Sequence, residues 1–176
     1  AKLVEKIGAA GVVVKLLYPG VESDAERGRQ VTRDLIFTMP VRWIADRHSK
    51  RAPTWRYYFD YTAEKLRPKY PNGVPHGNDI LYAFDTGDIF AETKPIFTDG
   101  DRTFARKFSD YWFNFARTGE PSAKGAPTWP AHSTRADRTM EFGNDRIVAE
   151  RRFMRARLNT MIGLTAIVGA VVGAKN

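Results

Sequence analysis

One run limits the folds open to this chain more than any other: Thr54-Trp55-Arg56-Tyr57-Tyr58-Phe59-Asp60. It is rich in β-favouring aromatics, and in an extended strand successive side chains point to opposite faces. Trp55, Tyr57 and Phe59 fall on one face and Tyr58 on the other. A strand apolar on both sides belongs in the interior of a sheet covered by helices on each face. The rest of the chain must then supply those helices and a core thick enough for 11 Phe, 7 Tyr and 4 Trp. At 176 residues it is long enough for one domain of that kind.

Helical patterns flank the strand. Residues 2–18 are apolar but of ambiguous period, and Tyr18-Pro19-Gly20 ends them. Ser23 followed by Glu26 fits a capping box. Val31, Leu35, Ile36, Met39, Trp43 and Ile44 then recur at helical spacing, with Pro40 inside the pattern. Proline lacks an N–H donor and crowds the preceding turn, so it should kink this helix or begin a second one. The clearest helix spans 99–118, with Phe104, Phe108, Tyr111, Trp112 and Phe115 on one broad aromatic face. Gly119 suits a left-handed stop and Pro121 blocks continuation. A turn-rich stretch from Gly119 to Asp137 leads to two short strands, Thr139–Phe142 and Arg146–Ala149, joined by Gly143-Asn144-Asp145. A helix is expected from near Glu150.

The tail from Leu158 to Ala174 is uncharged and apolar. A spanning helix needs ~20 apolar residues, so a buried or interfacial helix is preferred and membrane contact is the lesser expectation. The lone Gly169/Gly173 pair is a weak association signal. The formal charge of +8 comes from basic residues spread along the chain, apart from Arg151, Arg152, Arg155 and Arg157. With no nucleic-acid motif beside them, a solvated surface is expected and no nucleic-acid partner. Absence of cysteine excludes disulfides, a thiolate nucleophile and a cysteine zinc site. The chain opens at Ala1 without a signal-peptide pattern, which reads as a fragment, a cleaved chain or a truncated sequence.

Three histidines remain as chemical candidates. His48 ends a helix beside Arg47 and Lys50, where a solvent-facing ring meets a favourable dipole. His132 lies in the turn-rich surface stretch, and none of the three has metal-ligand spacing, so neither metal nor cofactor is expected. His76 stands in a proline- and glycine-rich loop after the buried strand, Gly73-Val74-Pro75-His76-Gly77-Asn78-Asp79-Ile80. Loops beyond strand ends are where α/β folds place functional groups, and imidazole passes protons near neutral pH. By itself a lone loop histidine is more often a surface or hydrogen-bonding residue.

Several motifs in order change that weighting. His76-Gly77-Asn78-Asp79-Ile80, the strand Trp55–Asp60, the helix end Trp112-Phe113-Asn114-Phe115-Ala116-Arg117-Thr118-Gly119-Glu120-Pro121, then Trp129-Pro130 and Met140-Glu141-Phe142-Gly143 resemble the type-B carboxylesterase (cholinesterase-like) family. Thr32-Arg33-Asp34, Phe37, Pro40 and Ala45 fit as well, and the likeness covers about residues 17–157. It implies the C-terminal part of an α/β-hydrolase fold. Mostly parallel sheet strands would be covered by helices, with a C-terminal β-hairpin. The domain would be 1–157, and 158–176 a tail of uncertain role. It also implies a serine esterase whose triad histidine is His76, acting on a small-molecule ester.

Ser23, Ser49, Ser109, Ser122 and Ser133 all lack the Gly-x-Ser-x-Gly setting, and no residue matches the acid. Serine and acid are therefore expected in a missing N-terminal portion, and this chain alone is expected to be inactive. Asp79 is expected to have a structural role, while Tyr82 and Phe84 are candidates for lining a substrate pocket. A secreted or periplasmic location rests on the resemblance only. The alternative is a non-catalytic binding or adhesion relative of the same fold.

Overall fold

The aromatic run does form a strand, β1 (Tyr57–Asp60), in a three-stranded sheet of order β1-β2-β3. The computed structural model describes residues 11–173, with side chains through residue 166. Strand β2 (Arg138–Gly143) runs parallel to β1 with Tyr57 opposite Met140 and Phe59 opposite Phe142. Strand β3 (Ile147–Arg151) pairs antiparallel with β2, so the expected hairpin is present. The strands extend slightly beyond the expected limits. Glu150 pairs with Thr139 and Arg151 with Arg138, so the chain is still strand where a helix was expected near Glu150. That helix begins at Arg155, after Arg152 and Met154 have taken left-handed backbone angles of 58° and 49°.

The chain divides into two compact units, Ala52–Arg151 and the segments on either side of it. Within Ala52–Arg151, one face of β1 and β2 meets the aromatic face of helix α5 (Asp99–Thr118). Helices before it are α1 (residues 11–17), α2 (Asp24–Arg33), α3 (Met39–His48) and the single turn α4 (Ile80–Ala83). Phe104, Phe108 and Tyr111 of α5 are buried with Tyr61, Tyr82, Phe97, Trp129, Met140 and Phe142. Phe108 meets Phe142 edge-to-face at 4.6 Å between ring centroids. Tyr61 stacks on Phe104 at 3.6 Å. Such pairs add about 0.5–1.5 kcal/mol each beyond burial. Phe115, expected on this face, is 41% exposed and touches the edge of Trp55 instead.

Local chemistry writes both ends of α5. At the N-terminus Thr98 and Asp101 form a complete capping box, and at the C-terminus Gly119 sits at φ 82°. The second face of β1 is less apolar than its neighbours suggested. Arg56 projects there fully buried, donates to Thr139 Oγ1 at 2.7 Å and pairs with buried Asp137 at 3.0 Å. A desolvated charge is tolerated there because it has a partner.

Close packing also reaches the irregular segment before α5. A methyl group at Gly87 would overlap the ring of Phe97, which itself stacks on Tyr82. Gly87→Ala is expected to cost about 1–3 kcal/mol by forcing that buried ring aside. The drop in Tm, together with loss of near-ultraviolet circular dichroism, checks it.

In the other unit, helix α2 starts at Ser23, whose Oγ accepts from the Glu26 N–H at 3.4 Å. The reciprocal half of the expected box does not form, because the Glu26 carboxylate is held by Arg29 and Gln30. Pro40 has the effect its chemistry requires. The five residues Asp34–Thr38 widen into a π-turn, the Met39 N–H reaches back to Asp34 C=O, and α3 begins with proline in its first turn. The extra residue shifts the helical phase. Asp34, Arg42 and Ala45 are buried, whereas Leu35, Ile36, Trp43 and Ile44 are exposed.

Asp34 accepts from the Tyr18 hydroxyl at 2.9 Å and pairs with Arg33 at 2.8 Å and Arg157 at 3.0 Å. Arg157 also lies 4.5 Å over the Tyr18 ring. This member of the basic group therefore serves an internal network. Helix α6 (Arg155–Gly173) carries the apolar tail, with Leu158 and Met161 buried. Among the described residues no helix is long and apolar enough to cross a membrane. Residues 2–10 of the 2–18 segment, the side chains of residues 167–173 and residue 174 lie outside what the structure describes.

Candidate active site on the histidine loop

The loop that carries His76 is built from its attachments to β1. After Asp60 the chain makes a 3-10 turn, Glu64–Leu66, and continues through successive turns to residue 79. The Thr62 N–H is received by Asn144 of the hairpin turn at 2.8 Å. Gly77 takes φ +81°, a conformation glycine adopts without steric cost, and reverses the chain directly after the histidine. Asn78 then donates its side-chain amide to the Tyr61 carbonyl at 3.1 Å, just past the end of β1. Asp79 accepts a hydrogen bond from the Tyr57 hydroxyl at 2.7 Å, at the start of β1. Both attachments lie within three residues of His76, whose ring is exposed to solvent. An accessible imidazole on an anchored loop can exchange a proton with a group brought against it.

Tyr57 is a donor throughout the ordinary pH range. Burial, and then its bond to the Asp79 carboxylate, push its phenol well above the usual tyrosine value. Burial acts first in the same direction on Tyr18, Tyr61 and Tyr82, and Tyr111 is pushed up to about 12. An unfolded tyrosine ionises near pH ~10. The contribution of these neutral phenols is therefore fully present below that pH and is lost as pH rises towards their folded values. Stability is expected to fall above pH ~10 by about 1.4 kcal/mol per pH unit for each protected tyrosine. Phenolate absorbance and circular dichroism recorded together test this: ionisation of the buried tyrosines should coincide with unfolding.

The other candidates are placed as follows. His48 is exposed in the last turn of α3, as expected. His132 is not a surface residue: it is only 3% exposed, its backbone N–H donates to the Thr54 carbonyl at 2.7 Å, and ring Nδ1 lies 3.0 Å from the Arg138 carbonyl. A carbonyl can only accept, so Nδ1 carries the proton. Tyr82 is a core residue, 1% exposed, whereas Phe84 is 73% exposed. Ser23 and Ser133 are occupied as local caps, accepting from the N–H groups of Glu26 and Ala136. Among the described residues no group of acidic or histidine side chains could hold a metal ion. The role of Tyr57 was missed from sequence, where it reads as one more buried aromatic. The available signal was its hydroxyl, since a buried tyrosine usually finds a hydrogen-bond partner.

The fold has counterparts among known proteins. The model of the carboxylesterase family matches residues 20–161. The chain belongs to the carboxylesterase family. Relatives in the family include pyrethroid hydrolase Ces2e of Rattus norvegicus, 35% identical over 100 residues that cover 56% of this chain and 17% of that protein. Cocaine esterase of Homo sapiens is 30% identical over 105 residues, 58% of this chain and 18% of that one. Among solved structures, a PNB esterase superposes with a TM-score of 0.65 at 29% identity, over 81% of this chain and 28% of that one. A thermophilic PNB esterase gives 0.64 at 28% identity. The fold is accordingly part of an α/β-hydrolase, and the chain spans less than a third of the length of these carboxylesterase relatives.

Proposed function

We propose that this chain supplies the catalytic histidine of a serine ester hydrolase. The supporting observation is His76 itself, solvent-exposed on a loop fastened to β1 by Asn78 and Asp79, within a chain of the carboxylesterase family. In this reading His76 takes the proton of a serine hydroxyl as the oxygen attacks an ester carbonyl. It then returns a proton to the departing alcohol, and a carboxylate behind the ring holds the tautomer. Water repeats the sequence to release the acid. The serine and the carboxylate come from polypeptide outside residues 1–176, because no serine of this chain stands in a Gly-x-Ser-x-Gly turn. The chain alone is then inactive, and its substrate is a small ester.

The test is reconstitution with the serine-bearing portion, followed by assay of a short-chain aryl ester. Hydrolysis that requires both parts supports the proposal. A folded reconstituted protein that hydrolyses no ester contradicts it and favours a non-catalytic binding relative.

A further inference from the structure

The carboxylate of Asp79 is in an unusual position. It occupies the N-cap of α4, where an aspartate ordinarily accepts from the free N–H groups of the first turn. Here it makes no side-chain cap bond. It turns instead to the Tyr57 hydroxyl, 2.7 Å away and twenty-two residues back in the chain. Tyr57 is well suited to fix whatever it holds. Its backbone is in register with Met140 in the parallel ladder. Its ring is met edge-on by Phe108, Trp112, Trp129 and Phe142 at centroid distances of 5.5–6.2 Å. Aromatic packing at native density leaves such a ring little freedom.

We propose that Tyr57 and Asp79 are positioning residues for His76: the hydroxyl of a core tyrosine fixes the carboxylate three residues beyond the histidine and so fixes the loop. The Asn78 bond to the Tyr61 carbonyl holds the backbone on the same side, and left-handed Gly77 lets both attachments form directly after the histidine. The catalytic importance of this device rests on the esterase reading, but its mechanical part does not. The two therefore fail separately.

The probe is the proton NMR spectrum of the imidazole Cε1–H groups in the 176-residue chain, which has only three histidines. In Tyr57→Phe, which keeps the ring and removes only the hydroxyl, the His76 signal is expected to shift and broaden. His48 and His132 serve as internal controls and should keep their positions. Asp79→Ala should reproduce the change, and Asp79→Asn, which retains an acceptor oxygen, should restore most of the native signal. In the reconstituted esterase Tyr57→Phe should lower kcat about 10-fold with little change in KM, as expected for a misplaced proton carrier. An unmoved His76 signal in Tyr57→Phe overturns the proposal. Equal movement of all three histidines also overturns it, because the hydroxyl would then support the fold in general. Absence of ester hydrolysis with the His76 response intact would sink the esterase reading alone.

Discussion

Asp101→Ala is expected to destabilise the unit Ala52–Arg151 by about 3–5 kcal/mol, a large part of the 5–15 kcal/mol that holds a typical domain folded. The side chain is fully buried and works entirely as an acceptor. Oδ1 receives the Tyr61 hydroxyl at 2.6 Å and the Glu64 N–H at 3.1 Å. Oδ2 receives the Thr98 N–H at 2.7 Å and the Thr98 hydroxyl at 2.9 Å. One carboxylate thus caps α5, anchors a core tyrosine and holds the first residue of the 3-10 turn after β1. Alanine removes the cap, worth about 1 kcal/mol, and leaves buried donors without an acceptor at about 1–3 kcal/mol each. Asn keeps one oxygen but turns an NH2 group towards donors, so Asp101→Asn should fall between alanine and the native protein. Urea unfolding followed by tyrosine and tryptophan fluorescence measures the loss. A shift below about 1 kcal/mol for alanine would mean that these donors find other acceptors.

The same residue illustrates which features can be read from sequence. Helix α5 was legible from its aromatic face and, at its C-terminus, from Gly119 and Pro121, which act on their immediate neighbours, whereas the Thr98–Asp101 capping box that starts it was not read. The hairpin was legible from Gly143-Asn144-Asp145, although the ladder runs on to Arg151 because β2 offers further partners. Distant contacts hid the rest. His132 looked like a surface residue because nothing nearby in sequence announces the carbonyls of Thr54 and Arg138 that hold it. The apolar residues around Pro40 recur at helical spacing, but the π-turn changes the face they present, and Asp34 and Arg42 are buried in their place. His76 was singled out by the motif around it. That its loop is tied to β1 through Tyr57 could not be seen, because hydroxyl and carboxylate meet only in the folded chain.

For the chemistry, the largest expected effect belongs to His76→Ala. In the proposed reaction, removing the imidazole would leave the serine hydroxyl protonated and the departing alcohol without a proton, so both halves would suffer. Loss of one member of such a triad removes most of its benefit, because the members act as a unit. A fall in kcat of about 10⁴-fold or more is expected in the reconstituted protein, with KM nearly unchanged. The fold should tolerate the substitution, since the ring is exposed and the loop's attachments to β1 are made by Asn78 and Asp79.

Turnover of an aryl ester by native and His76→Ala proteins, each reconstituted with the serine-bearing portion, tests the central claim most directly. The account predicts a four-order loss with unchanged circular dichroism and partial recovery of a His76→Gly variant by added imidazole. Native-like turnover in the alanine variant would contradict it.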